Sequence, residues 1–388
     1  MTTQTHIATD RIDQFEAART GNLQWFKQQH AAGTLPDLTV TDEQNRLVFE
    51  YAAENGHLDV VKYLVEDSGQ DVDVTADDNY AIRLAAENGH LHIIKYLIEG
   101  CKQNVDATAD DNYAVRIAAE NGYLNVVKYL IEDSDQDVDV TTFDNYALRF
   151  ASQNGHLDVV KYLIEDSGQD VDATAVDNCA LRYAASHGHL NVIKYLIEDS
   201  GQDVDATFFD NCILRFAAAN GHLNVVKYLI TECDQDVDVT AVDNYALRYA
   251  VENNHFNVVK YLIEDCPQHI DLPTLGQRLL QIASTANCAE ITEYLVPVCN
   301  VIKETDSVTY RQIHSIINDA INSNTRNPLS VSHFSFVDKL RYLVSVPSNL
   351  LRSLSTSAEG LQQLYAYLAK ATSDDLQPLT TNSQVLRL

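Results

Sequence analysis

The sequence predicts an all-α chain, a solenoid of about nine helix-turn-helix units followed by a small C-terminal helical domain. Three observations carry that expectation. Residues 79–98 hold two apolar runs of helical period, Ile82, Ala85 and Ala86, then Leu91, Ile94, Leu97 and Ile98, parted by Asn88 and Gly89. Near copies return every 33 residues, so the turn position reads Asn55, Asn88, Asn121, Asn154, His187, Asn220 and Asn253. Helices shorter than about 12 residues are marginal alone in water, so each apolar face needs a neighbouring copy to cover it.

Taken in order, residues 1–9 are expected to be loose, and Asp10 to cap a helix starting at Arg11. The first unit, around Thr20, carries Trp25 and Phe26 where later units have Val-Val, which suits an end cap. Regular units run over 42–264. Asn88 and Gly89, with their equivalents, suit a left-handed helix end. The acidic linkers, such as 66–78, read as extended, hairpin-like loops rather than a continuous sheet. A degenerate unit surrounds Ala286, and the period breaks after Pro297. Helical spacing reappears over 307–323, where Asp306 is the cap, and over 334–346, 350–354 and 358–371. The division expected is therefore 1–9 disordered, 10–297 repeat array, 298–371 helical bundle and 372–388 flexible tail. The bundle either caps the array or carries a role of its own.

Charge and cysteine narrow the function classes. The net charge is −29, and residues 300–388 hold eight Lys and Arg against seven Asp and Glu, so the acid excess lies in the array. Such a surface repels nucleic acid and anionic lipid and favours basic protein partners, although a solvated loop face explains much of it. The seven cysteines follow the repeat. Cys101, Cys233, Cys266 and Cys299 share a register with Ser68 and Ser134, while Cys179 and Cys212 share one with Tyr80 and Tyr146. Stacked equivalents lie about 8–10 Å apart, beyond disulfide reach of roughly 7 Å. They are expected to be reduced packing residues of a cytosolic protein. The polar start has no apolar core of a secretory signal, and no stretch approaches the roughly 20 apolar residues of a membrane span.

From about Arg11 to Pro297 the chain resembles ankyrin repeats, with the family's signature standing as AAENGHLDVVKYL over 52–64. Two departures stand out. The family's TPLH is replaced by YAIR at Tyr80, YALR at Tyr146 and CALR at Cys179, and its hairpin glycine by Asp78, Asp111, Asp144, Asp177, Asp210 and Asp243. Asn79 and its equivalents could supply a left-handed residue one position later. The spelling is similar to arrays of intracellular bacteria and giant viruses. The tail, ending QVLRL, very loosely resembles C-terminal translocation signals of bacterial effector proteins.

Polar ladders run down the array. Arg83, Arg116, Arg149, Arg182, Arg215 and Arg248 read as structural, bridging loop acceptors, rather than as an anion stripe. Tyr63, Tyr96, Tyr129 and their equivalents fill seams, with hydroxyls at the edge. His57, His90, His156, His189, His222 and His255 stand a repeat apart, too far to share a metal.

Partner-binding residues are sought where monotony fails. The resemblance implies that partners are gripped by hairpin tips and the concave side of the first helix. The tip position reads Asp77, Asp110, Phe143, Val176, Phe209 and Val242, beside Thr142 and Phe208. The position before the turn loses its acid at Gln153, Ser186 and Ala219, and Phe150, Tyr183, Phe216 and Tyr249 replace Leu84 and Ile117. The expected site is Phe143, Phe150, Val176, Tyr183, Ser186, His187, Phe208, Phe209, Phe216, Ala219, Val242 and Tyr249. The competing reading folds Phe208 and Phe209 back onto the next hairpin.

Nucleotide, hydrolase and zinc motifs are missing from the sequence. The best catalytic set is Cys299 with His314 or His333 and Asp319 or Asp338, of a kind any chain this long offers by chance. The expectation is therefore a monomeric, cytoplasmic interaction scaffold without cofactor, metal, nucleic acid or membrane, and no enzyme. The alternative is an adaptor or effector whose C-terminal domain recruits or modifies the bound target, with a host cell's cytosol as a further destination.

Overall fold

The computed structural model describes residues 12–303, 305, 307–311, 313–314, 340 and 343–344. The expected loose start, the Asp10 cap, most of 315–346, the stretches at 350–354 and 358–371 and the tail lie outside the described residues. Over those described, the chain is helical without strands, and nine helix pairs follow one another. They are α1 Gln14–Arg19 with α2 Leu23–Ala31, α3 Val48–Glu54 with α4 Leu58–Lys62, and α5 Ala76–Glu87 with α6 Leu91–Lys95. Next come α7 Ala109–Glu120 with α8 Leu124–Lys128, α9 Thr142–Gln153 with α10 Leu157–Lys161, and α11 Ala175–His187 with α12 Leu190–Lys194. The series ends with α13 Phe208–Ala219 and α14 Leu223–Thr231, α15 Ala241–Glu252 and α16 Phe256–Glu264, and α17 Leu272–Thr285 and α18 Ala289–Ile302. The chain divides into two compact units, Met1–Ala184 with Asn191–Val204, and Ala185–Leu190 with Asp205–Leu388.

From α3 to α16 each pair buries equivalent positions. The alanines of the first helix, such as Ala85 and Ala86, and the β-branched pair of the second, such as Ile93 and Ile94, are fully buried. Small side chains on one helix and branched ones on the other let successive copies close without voids. From α4 to α12 the second helix runs on through one wider turn, Tyr63–Asp67 after α4 being the first. It is closed by a side chain that donates back four residues: Ser68 Oγ to the Leu64 carbonyl at 2.6 Å, and Cys101 Sγ to that of Leu97 at 2.8 Å. Serine and cysteine interchange here because either can supply that donor.

Two sequence expectations need correction. Helix α1 is capped by Asp13, whose carboxylate accepts from the Glu16 N–H at 2.8 Å. At the inter-helix turn only the second residue is left-handed, a glycine in most units and Asn254 (φ 62°) and Asn287 (φ 58°) in the last two. Gly89 has φ +74°, whereas Asn88 has φ −105° and spends its amide on the Leu84 carbonyl at 2.9 Å. The glycine is also required by packing. A Cβ on Gly56 would stand 2.8 Å from the His90 ring, and one on Gly122 2.4 Å from His156. His90 Nε2 meanwhile lies 2.9 Å from the Glu54 carbonyl, so the histidine ladder is the other half of the glycine contact.

Glutamines knit the linkers together. Gln103 Nε2 donates to the Val72 carbonyl at 2.7 Å while its Oε1 accepts from the Val74 N–H at 2.9 Å. Gln136 and Gln169 repeat the clamp on Val105 with Ala107 and on Val138 with Val140. In the second unit Gln268 clamps Val237 and Val239. A side-chain amide thus does between loops what a strand partner does in a sheet.

At the end of the second unit, α18 passes through Pro297 and stops at Ile302. Residues 307–311 and 313–314 are helical, and Tyr310, Ile313 and His314 are buried. His314 Nε2 lies 2.9 Å from the Ile263 carbonyl, and the His269 ring lies 5.5 Å from that of Tyr310 and 5.8 Å from that of His314. Burial, with His314 and Arg311 adding to it and Asp271 opposing, pushes the His269 imidazole down to about 4. Burial also lowers His314, against the Ile263 carbonyl and Asp265.

Two outcomes follow. Replacing Gln169 by Leu strips partners from the Val138 carbonyl and Val140 N–H and should cost roughly 1–3 kcal/mol, read as faster amide exchange at Val140. Both histidines are held neutral in the folded state, so their contribution is complete above their ordinary 6.5 and declines below it, that of His269 being lost as pH falls toward about 4. Amide exchange of 310–314, corrected for intrinsic rate, should accelerate over that window, and His269→Phe should flatten the response.

Candidate partner-binding surface

The tips are built from an uncommon backbone. In α5 the residues Asp77, Asp78 and Asn79 have φ of 51°, 54° and 59°, three left-handed positions in succession before the right-handed helix begins. The same triplet recurs at 110–112, 143–145, 176–178, 209–211 and 242–244. Left-handed geometry therefore covers three positions, where one was expected. It includes Val176 and Val242, and a β-branched residue at positive φ is a genuine outlier.

Arginine closes each turn. Arg83 donates to the Asp77 carbonyl at 2.8 Å, Arg116 to Asp110 at 2.9 Å, Arg149 to Phe143 at 2.7 Å and Arg182 to Val176 at 3.0 Å. In the second unit Arg215 takes the Phe209 carbonyl at 2.7 Å and Arg248 that of Val242 at 3.2 Å. The acceptors are mainly carbonyls rather than the loop carboxylates, although Arg83 also meets Asp110 at 2.7 Å and Arg248 meets Asp243 at 4.0 Å. Where the triplet is missing, so is the arginine. The register holds Glu50 in α3 and Gln281 in α17. Glu50 instead accepts from the Leu47 N–H at 2.9 Å, and burial pushes its carboxyl up to about 7.

The third residue of the triplet links one loop to the next. Asn79 Oδ1 accepts from the Asp106 N–H at 2.9 Å, Asn112 from Asp139 at 3.0 Å and Asn211 from Asp238 at 3.0 Å. This ladder and the glutamine ladder go unrecognised in the sequence, although a polar residue returning every 33 positions inside a loop is their signal.

None of the twelve expected site residues is buried. In the first unit Phe143 is 54% and Val176 45% exposed, while Phe150 and Tyr183 are half-buried. The Arg116 guanidinium sits 4.6 Å from the Phe143 ring centre, so one face of that ring is covered by the preceding repeat and the rest is open. Phe150 stacks on Tyr146 at 4.0 Å and meets Tyr183 edge-on at 5.8 Å. In the second unit Phe209 is 71% and Val242 44% exposed, Phe216 and His187 are exposed, and Ser186, Phe208, Ala219 and Tyr249 are half-buried. Phe208 lies 6.2 Å from Phe209, and Tyr249 stacks on Tyr245 at 3.8 Å. The Ser186 and Ala219 carbonyls are taken by His222 at 2.8 Å and His255 at 2.9 Å.

Chemically reactive groups are tied up elsewhere. Tyr96, Tyr129 and Tyr162 donate to Glu66, Glu99 and Glu132 of the preceding repeat at 2.7–2.9 Å, and burial with those carboxylates holds the phenols protonated. Cys299 is buried with its thiol pushed up to about 11, and it packs where a Cβ on Gly276 would come within 2.8 Å of its sulfur. That environment makes a poor nucleophile. His333, Asp319 and Asp338 lie outside the described residues. None of the seven cysteines is joined in a disulfide. Among the described residues no cluster could hold a metal ion, and no helix is long and apolar enough to cross a membrane.

No curated protein matches the chain. The family model for ankyrin repeats (three copies) matches residues 15–111, 49–144, 115–208 and 214–306. Those matches and the nine successive helix pairs agree in period and extent: the chain belongs to the ankyrin-repeat family, whose repeats generally serve as protein–protein interaction modules.

Proposed function

We propose that this protein is an interaction scaffold that grips a protein partner through the turn tips and first-helix side chains of its central repeats. The observation that carries this reading is the exposure of Phe143, Val176, Phe209 and Val242 on backbone held in the left-handed region. Strain of this kind persists only where the surroundings over-determine it, and side chains displayed there fill no core. Exposed aromatics are the residues that dominate binding energy when a partner covers them. The acid around them, part of a net charge of −29, steers a basic surface and speeds encounter.

The packing of Tyr310, Ile313 and His314 supports an end cap for the residues after the array.

Affinity capture from lysate with the full chain, beside the Phe208→Ala, Phe209→Ala double variant, tests the proposal. The variant should melt at the same temperature and lose the captured partner, with a binding penalty of roughly 1–4 kcal/mol. An unchanged dissociation constant would remove the second unit's tips from the site.

A further inference from the structure

Four of the turns lie in the first unit, and within the triplet they differ only in the identity of the first residue. Their first residues are Asp77, Asp110, Phe143 and Val176, at φ of 51°, 55°, 52° and 52°. The second residue is always aspartate, and Asp78, Asp111, Asp144 and Asp177 are all exposed. The third is always asparagine. With arginine on the first carbonyl in all four and asparagine on the next loop at Asn79, Asn112 and Asn145, the backbone of each turn is constant while its first side chain varies. Along this edge an acidic second row runs throughout, while the first row changes from two carboxylates to two apolar groups.

We propose that this edge holds an extended partner segment carrying basic residues at one end and apolar residues at the other, one contact residue per repeat. This rests on the scaffold reading above and names its partner's chemistry. The spacing follows from two general lengths. Neighbouring helices pack about 8–10 Å apart, and an extended chain advances roughly 3.3 Å per residue, so every third residue meets a new tip. Basic side chains meet Asp77, Asp78 and Asp111, with Asp110 already shared with Arg83. Apolar side chains meet Phe143, whose ring is braced from behind by Arg116, and then Val176.

The probes are synthetic peptides of about twelve residues, long enough to cross four tips. One has lysine at every third position in its first half and leucine at every third in its second. Its reversed sequence covers the opposite chain direction, a scrambled isomer controls for composition, and a heptad-spaced helical peptide controls for conformation. Anisotropy titrations with the full chain should show the block peptide or its reverse binding at least tenfold tighter than the scrambled isomer. Raising salt from about 50 to 300 mM should weaken that binding without abolishing it. Phe143→Asp places at the third tip the residue native to the first two, so the turn should form and the array should melt normally. It should cut affinity about tenfold, as should Val176→Asp.

Equal binding of the scrambled isomer, tighter binding of the helical peptide, or indifference to Phe143→Asp would overturn the proposal. Capture that depends on Phe208 and Phe209 is read on the second unit. If it stands while the peptides fail, only the segment reading falls, and if both fail, the scaffold reading falls with it.

Discussion

In an unconstrained chain, three consecutive non-glycine residues near φ +55° cost roughly 1–2 kcal/mol each relative to right-handed geometry. Six such triplets in one protein demand a compensating contact that recurs with them, and the arginine six residues on is that contact. Its guanidinium reaches the carbonyl of the first left-handed residue, and in Arg116, Arg149 and Arg248 a second nitrogen reaches the carbonyl of the next at 2.8–3.0 Å. A planar fork can hold two acceptors in one geometry, which an ammonium cannot. Two of the registers that lack arginine, Glu50 and Gln281, also lack the turn, so arginine and turn travel together over those repeats.

That constraint separates frame from display. Everything that makes the turn is spent: the arginine on carbonyls, the asparagine on the following loop, and the threonine before it on Asp73 or its equivalent at 2.7 Å. The first side chain of the triplet takes no part in holding the turn. It can therefore change from aspartate to phenylalanine to valine while the turn's own hydrogen bonds stand, even where it meets the preceding repeat's arginine, as Asp110 meets Arg83 and Phe143 meets Arg116. A repeat with a helix cap or a plain hairpin tip would couple that residue to the loop's own hydrogen bonds and restrict it to a few polar types.

How much of this is legible without coordinates depends on where the period carries information. The helix pairs follow from Ala85, Ala86, Ile93, Ile94 and their copies, because burial of short helices leaves no other use for that pattern. The twelve expected contact residues can be listed from the positions where copies disagree, and in each unit none of them is buried. What residue types do not reveal is the backbone that presents them. Aspartate and asparagine tolerate positive φ, but phenylalanine and valine argue against it, so the triplet at 143–145 or 176–178 reads as an ordinary loop. The arginine's carbonyl acceptors are hidden for the same reason, since sequence proximity points to the aspartate carboxylates instead. Asp10 was a plausible cap by type and spacing, and Asp13 is the described residue that caps the helix.

The chemistry of the repeated polar residues argues further about where function resides. Histidine is committed to a glycine and a carbonyl, tyrosine to a glutamate of the preceding copy, and serine or cysteine to the end of its own helix. Each commitment removes a nucleophile, a ligand or a titratable group from use. The Arg–Tyr stacking of the first unit likewise runs from Arg83 between Tyr80 and Tyr113 to Arg116 beside Tyr146. It ends where Cys179 takes the tyrosine position and Arg149 meets a buried sulfur at 3.9 Å. Since the periodic polar groups are engaged in stacking one copy on another, the recognition proposed above rests on the residues that break the period, the apolar tips and the aromatics beside them.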